Sequence, residues 1–150
     1  MDTVPALPSP IRIVADGTTT VDGATLADLP TVERDLTVVC ASGDLEPGTW
    51  RGVAMLDLLE LATVPPETTH LLVEAADGYR VCVPIEAALE GVLAFARDGE
   101  PFAAAGGHES RFVASGVKGP RTVKNVARLE TVALSPGEDP ESYEELWPDD

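Results

Sequence analysis

The chain has 150 residues, of which 44% are hydrophobic, and this suits a single domain with a core of ordinary size. Its formal net charge is −16, with 26 acidic residues against 10 basic ones. Such an excess of negative charge repels nucleic acid and anionic membrane surfaces, so neither is an expected partner.

The chain contains no apolar run of about 18 residues that would suit a membrane span. It begins Met1-Asp2 rather than with the basic head of a secretory signal. We therefore expect a cytoplasmic location.

The acidic excess comes with a scarcity of lysine, which occurs only at Lys118 and Lys124. This combination is typical of halophilic proteins, in which concentrated salt screens the repulsion among surface charges. The alternative is an acidic mesophilic protein with a charged tail.

Alternating and β-branched runs predict strands at Ile11–Ala15 and Leu36–Cys40, and apolar residues at helical spacing predict a helix over Val53–Leu61. Two further runs, His70–Ala76 and Tyr79–Val83, predict a β-hairpin, because the Asp-Gly pair between them accepts a tight turn. The remaining predicted elements are a helical turn at Thr25–Leu29, a short helix at Ile85–Leu89, and strands at Val92–Ala96, Arg111–Ala114 and Ala127–Leu134. The pattern predicts an α+β domain dominated by sheet, with two or three short helices on its flanks.

The composition changes after Leu134, since residues 135–150 hold many acids and few core-forming side chains. We therefore predict one domain over residues 1–134 and a flexible acidic tail over residues 135–150. The alternative is that Tyr143, Leu146 and Trp147 anchor this segment to the domain surface.

The two cysteines are too few for a disulfide framework or a four-thiolate zinc site. Cys82 lies within an apolar run and is expected to be a buried small hydrophobic residue. Cys40 ends an apolar run just before a turn that contains Gly43, which places a thiol at the mouth of a strand, where a soft metal ligand is useful.

Several segments follow one another in a distinctive order and spacing. They are Leu36-Thr-Val-Val-Cys40, Trp50-Arg-Gly-Val-Ala-Met-Leu56-Asp-Leu-Leu59, Ala75-Ala-Asp-Gly78-Tyr79, Arg97-Asp-Gly-Glu-Pro101, Arg111-Phe-Val, and Arg121-Thr-Val-Lys124-Asn-Val-Ala-Arg-Leu-Glu130. Together they resemble the molybdopterin-binding catalytic domain of the sulfite oxidase family, over roughly Ile11 to Leu134. The resemblance implies that family's mixed-sheet α+β fold with a few short flanking helices, and a molybdenum-molybdopterin cofactor.

By this resemblance, Cys40 is the catalytic residue and supplies the thiolate that binds molybdenum. The resemblance also assigns the cofactor-binding residues, which are His108, Arg111, Lys118, Arg121 and Lys124. A guanidinium can hold a phosphate with two parallel hydrogen bonds, whereas an ammonium acts as a point charge. The alternatives are that the cations only neutralise neighbouring acids in salt bridges, and that His108 is an exposed loop residue.

The resemblance implies a molybdopterin-dependent oxidoreductase that carries out two-electron oxo transfer on a small-molecule substrate, with an electron-transfer partner that is unknown. Sulfite is not the expected substrate, because Asp44 occupies the neighbourhood in which sulfite oxidases carry an arginine. Gly106-Gly107-His108-Glu109 replaces the family's His-Gly-x-Pro stretch. A cofactor-free binding or accessory module that retains the fold is therefore the alternative function.

Overall fold

The structure, a computed structural model, describes residues 10–39, 45–102, 110–114, 117 and 121–145. These residues form an α+β fold of two β-sheets and a few short helices, as the sequence predicts. The strands are β1 Ile11–Ala15, β2 Gly17–Val21, β3 Thr31–Val39, β4 Leu45–Ala54, β5 His70–Ala75, β6 Arg80–Pro84, β7 Val92–Arg97, β8 Glu100–Pro101, β9 Arg111–Val113 and β10 Val126–Val132. The helices are α1 Gly23–Ala27, α2 Met55–Leu59, α3 Ile85–Leu89 and a 3₁₀ helix at Pro140–Tyr143.

The first sheet has the strand order β2-β1-β10-β5-β6. Its central pair, β1 and β10, is parallel and places Ile13 beside Leu129, while the other pairs are antiparallel. The second sheet has the order β3-β4-β7-β8, and β9 also pairs with β7.

One large apolar cluster joins the two sheets and forms the core. The first sheet contributes Ile11 and Leu129, the second contributes Val53 and Leu93, and all four are fully buried. A second, smaller cluster surrounds Trp50 on the second sheet. Its other buried members are Val38, Val92, Ala94, Phe102 and Val113.

The helix predicted over Val53–Leu61 is wrong in its first residues and too long. Strand β4 continues to Ala54, and α2 spans only Met55–Leu59. The residues before α2 are held in the sheet, because Val53 lies opposite Thr31 on one side and Leu93 on the other. Pairing on both sides of β4 overrides the local helical spacing of the leucines.

The Asp-Gly turns after β5 and after β7 differ in backbone geometry. The predicted hairpin of β5 and β6 is confirmed, but only Gly78 of its turn has a positive φ, at 93°. In the turn between β7 and β8 both residues are left-handed, with φ of 52° at Asp98 and 83° at Gly99. This second turn matches the two-residue hairpin loop that favours Asp-Gly.

The C-terminal segment contacts β6, the edge strand of the first sheet. The backbones of Glu145 and Arg80 exchange two hydrogen bonds of 2.9 Å, and Arg80 Nε donates to the Tyr143 carbonyl at 2.7 Å. These contacts cover an edge that would otherwise present unpaired backbone groups. Flexibility of residues 135–150 stays a prediction, and Leu146 and Trp147 lie outside the described residues.

Candidate functional site

Three of the predicted site residues lie outside the described part of the chain: Cys40, His108 and Lys118. Their assigned roles stay predictions. Strand β3 ends at Val39, the residue before Cys40. The structure does describe Arg111, Arg121 and Lys124, and it gives each of them a different environment.

Arg111 is a buried cation, with only 9% of its surface exposed. Its Nε and Nη2 donate to Thr122 Oγ1 at 3.2 and 2.8 Å, and Thr122 is itself only 3% exposed. The guanidinium carbon lies 5.5 Å from the centroid of the Trp50 ring, within the range of a cation–π contact. The hydroxyl and the indole therefore hold the guanidinium in one orientation.

Trp50 is the fixed platform beneath this arginine. It is fully buried, its Nε1 donates to the Leu36 carbonyl at 3.1 Å, and the ring of Phe102 packs edge-on against it at 6.2 Å. A second guanidinium, that of Arg97, lies 5.1 Å from the same ring. Two cations thus share one indole, in a chain with a net charge of −16.

The interpretation of the sequence missed Arg97. Arg97 lies directly opposite Trp50 in the antiparallel pair of β4 and β7, so the register brings the two residues together. Gly48 leaves room for the side chain, because a Cβ there would lie 2.6 Å from Arg97 Nε. The sequence hints at this contact only through a segment that contains a tryptophan and through an arginine that precedes an Asp-Gly turn. Neither feature reveals the register in which the two strands pair.

Lys124 lies beside Arg111 because the two residues are antiparallel backbone partners. The pairing is extended by Phe112 N–H, which donates to the Val123 carbonyl at 2.8 Å, and by Asn125 N–H, which donates to the Ser110 carbonyl at 2.9 Å. The side chain of Lys124 is exposed. The structure therefore brings two of the predicted phosphate-binding residues onto adjacent backbone positions.

Arg121 is engaged by carboxylates of the C-terminal segment. Its Nε and Nη2 donate to the two oxygens of Glu144 at 2.9 and 2.7 Å, and Nη2 also lies 3.4 Å from Glu141. The Glu144 side chain is 4% exposed, and its Oε2 accepts a further bond from the Cys82 N–H at 2.9 Å. The hydrogen bond with Glu144 raises the pKa of Arg121. For Arg121, the salt-bridge alternative therefore describes the observed contacts.

Cys82 is buried, as the sequence predicts. Burial, and then the negative charge of Glu144, raise the pKa of its thiol to about 11. Since the thiolate is the reactive form, this thiol is poorly reactive at neutral pH.

A shallow depression with a volume of about 400 Å³ lies on the β3–β4 hairpin. Its lining includes Asp35, Thr49 and Asp98, and Thr49 Oγ1 donates to Asp35 at 2.7 Å. Two carboxylates on this surface oppose the binding of a phosphate. The phosphate-binding residues named above do not line this depression.

The family model described as oxidoreductase molybdopterin-binding domain matches residues 11–138. The chain belongs to this family. Among solved structures, it is similar to the sulfane dehydrogenase SoxCD from Paracoccus pantotrophus, with 22% sequence identity and a TM-score of 0.75. That match covers 87% of this chain but only 39% of the SoxCD chain, so this molybdopterin-binding domain spans well under half of that neighbour. No curated protein matches the sequence.

The described residues contain neither a helix that could cross a membrane nor a cluster of metal ligands. None of their helices is both long and apolar enough to cross a membrane. They also hold no group of three or more His, Cys, Asp or Glu side chains that would bind a metal ion. The predicted metal ligand, Cys40, lies outside this described part of the chain.

The described residues of the family domain fit a phosphate-bearing cofactor in part. Arg111 and Lys124 supply a buried guanidinium and an exposed ammonium at paired positions, and both groups suit a phosphate. Arg121 has its donors on Glu144 instead.

Proposed function

We propose that this domain binds molybdopterin and acts as an oxidoreductase on a small-molecule substrate. Membership of the family supports the proposal. The observation that carries it is the buried Arg111, held by Thr122 and stacked over Trp50. A guanidinium that is fixed in one orientation is suited to binding a planar or phosphate anion, even in a strongly acidic chain.

The chain's own residues bind and orient the cofactor. Arg111 presents a preorganised planar fork, and Lys124 adds a mobile positive charge beside it. Cys40 supplies the one thiolate that the metal requires from the protein. When bound, the cofactor supplies two-electron oxo transfer, and the protein contributes binding and orientation.

The reaction also needs a small-molecule substrate and a separate electron-transfer partner. Sulfite is not the expected substrate, because Asp44 follows Cys40 closely in the sequence, where sulfite oxidases carry an arginine, and a carboxylate does not favour an anionic substrate. We also propose that the protein is cytoplasmic and is adapted to high salt.

One observation favours the alternative, a cofactor-free binding or accessory module that retains the fold. Arg121, a predicted phosphate ligand, is bound on two of its nitrogens by Glu144. A chain that has lost its cofactor is free to use such an arginine for internal pairing.

The molybdenum and pterin contents of protein purified from a molybdenum-replete host decide between the two functions. We expect near-stoichiometric metal in the wild type and none in Cys40→Ser, whose fold should remain unchanged. Arg111→Gln should lower the affinity for the pterin phosphate about 10-fold or more, because a charge-assisted hydrogen bond is lost.

The matched control is Arg128→Gln, since Arg128 is paired with Glu130 at 2.9 Å in the first sheet. This variant removes the same charge away from the proposed site, so it should keep its cofactor. Wild-type protein that carries neither molybdenum nor pterin would reject the enzyme and favour the accessory module.

A further inference from the structure

The C-terminal segment over residues 138–145, here called the strap, is attached to the domain through polar contacts. Its 3₁₀ helix, Pro140–Tyr143, has no buried side chain. The attachment includes the Glu144 bonds to Arg121 and to the Cys82 N–H, the weaker Glu141 contact with Arg121, the backbone pair of Glu145 with Arg80, and the Arg80 bond to the Tyr143 carbonyl. An attachment of this kind can be exchanged for other polar partners, because its described contacts are hydrogen bonds and ion pairs, and no side chain of its 3₁₀ helix is fully buried.

We propose that the strap is an internal competitor for Arg121, and that a phosphate-bearing ligand displaces Glu144 and releases the strap from β6. This inference rests on the proposed function, because Arg121 is one of the residues assigned to the pterin phosphate. It adds a regulatory contact to that site. The site then has a closed state, with Glu144 on Arg121, and an open state, with a phosphate in its place.

The geometry of the Glu144 contact supports the exchange. A carboxylate and a phosphate both accept two parallel hydrogen bonds from one guanidinium, so they compete for the same edge of Arg121. The Arg121 side chain is 30% exposed, which lets a ligand approach without prior opening of the core.

The charge of the strap favours its release once a phosphate is bound. Residues 138–145 contain five acidic side chains, and none of the eight positions is basic. A phosphate on Arg121 repels these carboxylates, whereas the bare guanidinium attracts them. The ligand therefore binds the open state better than the closed one, as any ligand that shifts such an equilibrium must.

Release of the strap has a measurable consequence at Cys82. In the closed state the Cys82 backbone donates to Glu144, and the charges of Glu144 and Arg121 both act on the thiol. The thiol is buried, with a pKa of about 11. Burial is the largest cause of the raised pKa, so access of water to Cys82 after release of the strap lowers the pKa and raises the thiolate fraction at neutral pH.

The test measures the rate at which a disulfide reagent labels Cys82 in full-length Cys40→Ser protein, where Cys82 is the only thiol left. The probe is inorganic pyrophosphate, and sodium chloride at equal ionic strength controls for screening. We expect pyrophosphate to raise the labelling rate at least several-fold over the chloride control. A labelling rate that pyrophosphate does not change would overturn the proposal. This holds even if titration calorimetry shows that pyrophosphate binds to the protein.

Three variants in the same background locate the effect. Glu144→Gln should label rapidly without pyrophosphate, and Arg121→Gln should label rapidly and ignore pyrophosphate. Glu145→Gln should behave like the parent, because Glu145 contacts β6 through its backbone. Slow labelling of Glu144→Gln would refute the role of that carboxylate.

Melting curves establish that each variant is folded, and if Glu144→Gln does not fold, the pyrophosphate response of the parent decides the question. Failure of the strap proposal leaves the proposed function standing, because the cofactor can still be held through Cys40 at the metal and through Arg111 and Lys124 at the phosphate. Failure of the proposed function would appear in the metal content, which this labelling experiment does not measure.

Discussion

Replacing Thr122 with valine tests whether the buried Arg111 is held as the structure indicates. The substitution keeps the shape of the side chain but removes the oxygen that accepts from Nε and Nη2 of Arg111. Both residues are at least nine-tenths buried, so water does not readily replace the missing acceptor.

The expected loss follows from these contacts. A hydrogen bond to a charged group contributes about 1.5–3 kcal/mol, and the two bonds share one oxygen, so we expect the free energy of unfolding to fall by about 2–3 kcal/mol. For a chain of this length each kcal/mol lowers the melting temperature by about 2–4 °C, which gives a total fall of about 4–12 °C.

Urea denaturation of wild type and Thr122→Val measures this difference directly, provided that the slopes of the two transitions agree. Thr20→Val is the matched control, because Thr20 is exposed on β2 and the same chemical change there should alter stability by less than about 0.5 kcal/mol. If Thr122→Val lost no more stability than Thr20→Val, the Thr122 hydroxyl would not support Arg111 and the argument for a preorganised cation would fail.

Three further predictions concern packing, salt and pH. Gly52→Ala should destabilise the domain by about 3 kcal/mol or more, because the added Cβ would lie 2.0 Å from the Leu93 carbonyl oxygen. Gly48→Ala is the control, since a Cβ there meets only the movable side chain of Arg97. Equal losses of stability in denaturant melts of the two variants would contradict this prediction. The melting temperature should fall as salt is lowered from molar to millimolar concentration, since the net charge of −16 is then less screened, and a flat salt series would reject the halophilic interpretation. Asp22 caps α1 by accepting from the Thr25 N–H at 2.8 Å, and this bond lowers the pKa of the Asp22 carboxyl. Its contribution is therefore present above the unfolded pKa and is lost as the pH falls through the folded pKa, so Asp22→Ala should be less stable than wild type at neutral pH and equal to it in strong acid.

Local pattern was sufficient for most strands. Alternation and flanking turn residues predict β1, β5, β6 and β7 close to their observed bounds, because each strand follows from its own residues and a neighbouring Gly or Pro. The family, too, is evident from the order of short segments over most of the chain, and the family match to residues 11–138 confirms it.

The start of α2 was not predictable from local pattern. Leucine spacing around Val53 suits a helix, yet β4 continues through Ala54 because β3 and β7 pair with it on both sides. Hydrogen bonds from distant strands outweigh a weak local preference.

The partners of the cations were decided only by the tertiary structure. Charge and motif single out Arg111, Arg121 and Lys124 as phosphate ligands, and nothing in their spacing separates them. The fold places Arg111 over Trp50 and turns Arg121 toward Glu144, a residue 23 positions along the chain. Sequence by itself determines which residues carry charge and which runs form strands, because these depend on side-chain chemistry and near neighbours. The register between strands and the path of the C-terminal segment determine which charges meet, because those contacts join residues that are far apart in the chain.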